Sequence, residues 1–215
     1  MNVLRLGFEN FRNLCPGEIF PGETINVIHG SNAQGKTNLL EAIWLFTGGH
    51  SFRGTKDSEL PVFKKTAKNA PAASLSMTLF TEGREQELRL ELRDGRRSSV
   101  INGVEKKTGS ALVGKFCAVI FSPEHLLLVK EGPSRRRAFL DGALCQSRPA
   151  FTRVLAHYNK ALMQRNALLK DIPRHPELID TLDVWDERLI LFGTEVVQER
   201  AAFCKDLEPR AAEIY

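Results

Sequence analysis

The stretch Gly30-Ser31-Asn32-Ala33-Gln34-Gly35-Lys36-Thr37 decides how this chain is read, because it fits the spacing G-x-x-x-x-G-K-[ST]. Each fixed position has a chemical reason. Glycines let successive backbone N–H groups turn inward around an anion, a lysine brings a point charge to terminal phosphates, and a hydroxyl suits a divalent cation. Gly30, Gly35, Lys36 and Thr37 supply those parts, with Ser31, Asn32, Ala33 and Gln34 completing the cradle. Upstream, Thr24-Ile25-Asn26-Val27-Ile28 reads as a short strand; downstream, residues 37–46 read as a helix closed by Gly48-Gly49. Strand, loop and helix in that order are the context such a loop requires. A glycine turn before an ordinary core helix is the plain alternative, but it gives Lys36-Thr37 no reason to open a buried helix. The helix is apolar nearly all round, which predicts a place between layers with its electropositive N-terminus left facing phosphates.

Working outward, residues 3–8 alternate as a strand with Leu4, Leu6 and Phe8 on one face. Residues 74–105 read as an antiparallel meander. Leu75, Met77 and Leu79 alternate with polar residues, as do Leu88, Leu90 and Leu92, and Asn102-Gly103 signals a two-residue hairpin. Lys64-Lys65, Arg96-Arg97 and Lys106-Lys107 fall on turns and strand ends, where they read as solvated edge charges or, alternatively, as phosphate-tracking cations. Cys117-Ala118-Val119-Ile120-Phe121 is a continuous apolar run that suits a strand buried on both faces. Ser134 is placed to cap the helix that follows it. From Pro149 the period becomes helical. Phe151, Leu155, Tyr158, Leu162 and Leu169 form one stripe, with Arg165 in its gap, and Leu182, Trp185, Leu189, Phe192, Val196 and Phe203 form another beyond Pro173 and Pro176. Two helices of about 20 residues would make an antiparallel arm about 30 Å long; two core helices of an ordinary α/β domain are the alternative.

Composition sets wider limits. With 30 Lys+Arg against 26 Asp+Glu, the 215-residue chain carries +4, which permits a nucleic-acid partner without demanding one. Its four cysteines, Cys15, Cys117, Cys145 and Cys204, form no C-x-x-C pair, which argues against a zinc site or disulfide framework. No apolar run approaches the ~18 residues of a membrane span, and no leader-like segment opens the chain. The expected place is the cytoplasm, with no membrane partner. The histidines show no metal-ligand spacing.

Several segments together resemble a known family. A first strand leading into Glu9-Asn10-Phe11-Arg12-Asn13 (F-x-N-F-R), followed by G-x-N-x-x-G-K-T, is similar to the RecF/SMC branch of ABC-type ATPases. Asn38-Leu39-Leu40-Glu41 through Ser51-Phe52-Arg53 resembles RecF-like proteins specifically. So do Pro123-Glu124 with Gly132-Pro133-Ser134-Arg135-Arg136-Arg137-Ala138-Phe139-Leu140-Asp141, and the arm segments Gln164-Arg165-Asn166-Ala167-Leu168-Leu169-Lys170 and Trp185-Asp186. Two positions depart from the family pattern: Ala33 and Glu131 stand where glycine is usual. If position 33 requires a positive φ, alanine there costs ~1 kcal/mol.

The resemblance implies an α/β fold, with an ABC-ATPase-like head lobe over residues 1–147 and an antiparallel helical arm, apparently truncated, over 148–215. It implies ATP and Mg²⁺ as cofactors, held by residues 30–37, with Thr37 on the metal and Arg12 near the phosphates; a solvated turn arginine is the alternative for Arg12. Arg135 and Arg136 would contact DNA, nucleotide or a partner, or serve surface solubility. Implied partners are duplex or gapped DNA, recombination mediator proteins and a second copy in an ATP-dependent homodimer. Such proteins are slow DNA-stimulated ATPases that help load recombinase at single-strand gaps. This chain contains no L-S-x-G-Q, and its Asp-Glu pair, Asp186-Glu187, falls in the second arm helix rather than at the end of an apolar strand. It is therefore expected to bind ATP but hydrolyse it poorly, to leave strand 24–28 with an open apolar edge, and to be marginally stable alone. A non-catalytic DNA-binding or protein-interaction module that keeps the loop as architecture is the alternative.

Overall fold

The computed structural model describes residues 1–61 and 72–214, which leaves the Lys64-Lys65 pair outside the described residues. The chain forms two compact units, Met1–Glu124 and His125–Tyr215; the expected division at 147/148 falls within the second.

The first unit is built on a six-stranded antiparallel sheet in the order β2-β1-β3-β4-β5-β6. Its strands are β1 (Asn2–Glu9), β2 (Gly17–Ile19), β3 (Ala73–Thr81), β4 (Arg84–Arg93), β5 (Arg96–Ile101) and β6 (Val104–Lys106). The expected meander is present, and its alternation works as read: Leu75, Met77, Leu79, Leu88, Leu90 and Leu92 are all buried on one face. Three tight turns close it, each with two residues in the left-handed region, at Glu82-Gly83, Asp94-Gly95 and Asn102-Gly103. That backbone matches the strand twist, which is why Asn-Gly and Asp-Gly recur there. Strand β1 departs from its expected face. Its register against β3 shifts between Val3 and Arg5, so Val3 packs on the core while Leu4 is exposed. A single extra residue reverses the facing of everything before it.

Helix α1 (Lys36–Leu45) lays Ala42 and Leu45, followed by Phe46, into the same core as the sheet. It ends through Gly48, whose φ of 79° and N–H bond to the Leu45 carbonyl (3.1 Å) turn the chain away. Burial is on one side only, since Leu40 is exposed; the expected sandwich between layers is not formed among the described residues. Two expected strands are likewise absent. Segments 24–28 and 117–121 have no strand assignment, and Ile25, Val27, Val119 and Phe121 are 79–100% exposed. An apolar run becomes a strand only where a neighbouring edge takes up its N–H and C=O groups in a ladder, and neither segment is a member of the described sheet. Arg97 also corrects its expectation. It is 8% exposed, bound to the Asp57 carboxylate and to the Gly49 carbonyl, so it pins β5 to the chain that follows α1.

The second unit holds α2 (Leu127–Lys130), α3 (Pro133–Ser147), α4 (Phe151–Asp171) and α5 (Leu182–Ile214). Helix α3 starts at Pro133 with Gly132 before it, so Ser134 lies inside the first turn and does not cap. Proline at the first helical position already has the required φ and gives up an N–H that would lack a partner. Helices α4 and α5 run antiparallel: Arg148 pairs with Glu199, and Arg165 with Asp186. The Arg165 pairing explains a charged residue inside an apolar stripe. Phe151, Leu155 and Tyr158 pack with Val196 and Phe203 as expected, but Leu169 is exposed because the stripe passes to Ala161. At 33 residues, α5 exceeds the expected length. A bidentate Arg200–Asp141 pair joins α5 to α3. Next to it, burial pushes the Cys145 thiol above its usual range, with the Asp141 carboxylate adding to this and Thr152 opposing it.

Candidate phosphate-binding site

The loop before α1 takes a shape that only a few residue types accept. Gly30 has φ 143°, Ala33 φ 65° and Gly35 φ 100°. Position 33 therefore does require the left-handed region, and alanine bears a strain of ~1 kcal/mol there. At Gly35 a Cβ would lie 2.8 Å from Leu14 Cδ2 and 2.9 Å from Asn13 Oδ1, so close packing as well as φ demands glycine. The same Gly35 precedes α1 with no side-chain cap, and its carbonyl accepts the first helical bond from Leu39 N–H (2.9 Å). No acidic side chain occupies the first turn. The first amides of the helix, with its positive dipole end, thus face outward beside exposed residues 31–34.

Lys36 bends back over this loop. Its ammonium donates to the carbonyls of Gly30 (2.7 Å) and Ser31 (2.8 Å), which leaves one of three N–H donors for an anion. Thr37 is exposed on the same helix turn. The Lys36 ammonium and the exposed Thr37 hydroxyl thus lie at the start of α1 beside the exposed loop residues 31–34.

Arg12, expected near the phosphates, makes its bonds within the chain. Its guanidinium grips the buried Glu41 carboxylate of α1 with two bonds of 2.8 Å, and also donates to the Thr55 hydroxyl (2.9 Å) and the Glu59 carbonyl (3.3 Å). Ser51 donates to the same carboxylate, and Arg53 stands 4.0 Å from it. Glu41 is fully buried, so this network supplies the pairing that a buried charge requires. Residues 12, 41, 51 and 53 carry the family resemblance in sequence, and in space they meet around one carboxylate. Their joint role is to fix α1 to the strand end and to the segment that follows the helix. Asn13, which the sequence did not single out, hydrogen-bonds the loop through the Ala33 carbonyl (2.9 Å). Beside the network an open groove of about 470 Å³ is lined by Ser51, Thr55, Lys56 and Asp57 among others. Of the arginines in α3, Arg135 pairs with Glu131 one turn back, and Arg136 donates to the carbonyls of Leu128 (3.4 Å) and Glu131 (3.3 Å). Among the described residues no group of acidic, histidine or cysteine side chains is arranged to hold a metal ion, and no helix is long and apolar enough to cross a membrane.

A phosphate loop opening a helix that packs on an antiparallel sheet defines an α/β P-loop domain, and the chain belongs to the AAA domain family, whose model matches residues 5–171. Within that class it is similar to the DNA replication and repair protein RecF. It is 40% identical over 210 residues to RecF of Acetivibrio thermocellus, covering 96% of this chain and 55% of that one. It is 37% identical over 218 residues to RecF of Agathobacter rectalis, covering 100% and 58%. The solved structure of the recombination mediator protein RecF with ATP, in the RecFOR pathway, matches with a TM-score of 0.88 at 35% identity, covering 96% of this chain and 54% of that chain. The chain thus spans little more than half the length of these relatives, and the resemblance read from its motifs is borne out.

Proposed function

We propose that this chain binds ATP with Mg²⁺ through residues 30–37 and, as part of a RecF-type protein, serves ATP-dependent binding of DNA near single-strand gaps in support of recombinase loading. The observation that carries the proposal is the Lys36 ammonium drawn over the loop by Gly30 and Ser31, beside a helix N-terminus that no side chain caps. Both features favour a polyanion at one spot. Lys36 would hold the terminal phosphates, Thr37 the Mg²⁺, and the amides of residues 32–35 the remaining phosphate oxygens. Bound Mg²⁺-ATP would supply the charge that draws two copies together as a homodimer. Duplex or gapped DNA and mediator proteins would be the partners in the cytoplasm, with Arg135 and Arg136 as contact residues; the relatives' roles in DNA replication and repair and as a recombination mediator support DNA and mediator proteins as the partner classes.

Hydrolysis by this chain alone is expected to be slow or absent. The chain's Asp-Glu pair, Asp186-Glu187, lies within α5 rather than at the end of an apolar strand, and Asp186 is paired with Arg165. Titration with Mg²⁺-ATP tests the reading. Saturable binding that disappears in Lys36→Ala is expected, whereas no saturable binding by the parent chain favours a DNA-binding or protein-interaction module that keeps the loop as architecture.

A further inference from the structure

The Ala33 loop is shaped from outside, by a residue of the segment that joins β1 to β2. Asn13 Nδ2 donates to the Ala33 carbonyl (2.9 Å), while its Oδ1 accepts from Asn38 Nδ2 (2.6 Å) in the first turn of α1. Arg53 Nη1 in turn donates to Asn38 Oδ1 (3.0 Å), which orients the Asn38 amide so that its NH₂ faces Asn13. Asn13 Oδ1 also closes over Gly35, where it would lie 2.9 Å from any Cβ. One side chain therefore grips the loop at its strained residue, its glycine hinge and its helix.

The grip comes from a bent backbone. Asn10 (φ 51°) and Arg12 (φ 53°) both occupy the left-handed region, an arrangement that costs free energy and sends Arg12 to Glu41 while Asn13 reaches the loop. We infer that Asn13 is a positioning residue for the phosphate loop: by holding the Ala33 carbonyl outward, it keeps the loop amides turned inward for an anion. The peptide plane dictates this relation, since a carbonyl fixed on one side leaves the following N–H on the other. The inference deepens the nucleotide reading and rests on it for its binding readout.

A double-mutant cycle between Asn13→Ala and Ala33→Gly, read by Mg²⁺-ATP affinity in the full chain well below its unfolding temperature, tests the role. Loss of the clamp bonds should weaken binding about fivefold. Glycine accepts φ 65° without strain, so in the Ala33→Gly background the loss should shrink to about twofold. A general weakening of the fold would act equally in both backgrounds. A loss under about twofold in the parent, or an equal loss in both, overturns the inference. Should Asn13→Ala fail to fold, Asn13→Ser replaces it in the cycle, its hydroxyl being too short to reach the Ala33 carbonyl. Failure of the parent chain to bind Mg²⁺-ATP would sink the nucleotide reading instead. Asn13 is then judged on the nucleotide-free loop, where amide exchange across residues 30–38 should rise about threefold or more in Asn13→Ala, and unchanged exchange overturns the inference.

Discussion

At the scale of single residues, the buried charge of Glu41 governs what surrounds it. A carboxylate without solvent is stable only while its lone pairs are occupied, and Arg12 occupies two of them from a side chain that is itself 10% exposed. Arg12→Met should therefore cost about 3 kcal/mol or more of unfolding free energy, because it strands Glu41 rather than because it removes a favourable pair. Arg12→Met with Glu41→Leu should recover most of that loss, since two apolar side chains desolvate without penalty. Urea unfolding followed by circular dichroism measures both. A single-mutant cost below about 1 kcal/mol would show that water reaches Glu41. The sequence offered no sign of this pairing. Its partners are 29 residues apart in the chain, and nothing in a local pattern says whether an arginine after F-x-N-F faces a phosphate or a carboxylate.

Secondary-structure elements were legible where their cause is local. The loop and α1 follow from glycine spacing, the Asn102-Gly103 hairpin from residues that tolerate positive φ, and the helical stripes of α4 and α5 from a period of about 3.6. Glycines separate by the same logic. Gly142, inside α3, would place a Cβ in open space, so Gly142→Ala should stabilise the helix by about 1 kcal/mol through propensity alone. In thermal unfolding this should raise the helical unit's midpoint by about 4–8 °C. Gly35 would answer in the opposite sense, because its φ of 100° and its contacts with Leu14 and Asn13 forbid a side chain. Cap chemistry was less legible: Ser134 fits the composition of a cap, but Pro133 starts the helix one position earlier.

For the whole chain, the two expected strands that did not form share one cause, which is pairing between distant segments. The apolar content of residues 24–28 and 117–121 suits strands, yet a strand is a relation between two edges, and neither segment joins the described sheet. Both lie in the first unit, and they leave Ile25 (84%), Val27 (79%) and Val119 (100%) in solvent. Exposed apolar runs of this kind favour association between copies. Because these three side chains bury almost nothing, replacing them removes little folding free energy. The combined substitutions Ile25→Thr, Val27→Thr and Val119→Thr should therefore lower concentration-dependent light scattering of the chain while shifting its thermal midpoint by no more than about 2 °C. Threonine keeps the β-branched shape, so any change reports the apolar surface rather than backbone preference. If scattering stays the same, the exposed runs do not drive association; if the midpoint falls by about 5 °C or more, those side chains are packed in solution and the first unit extends over them.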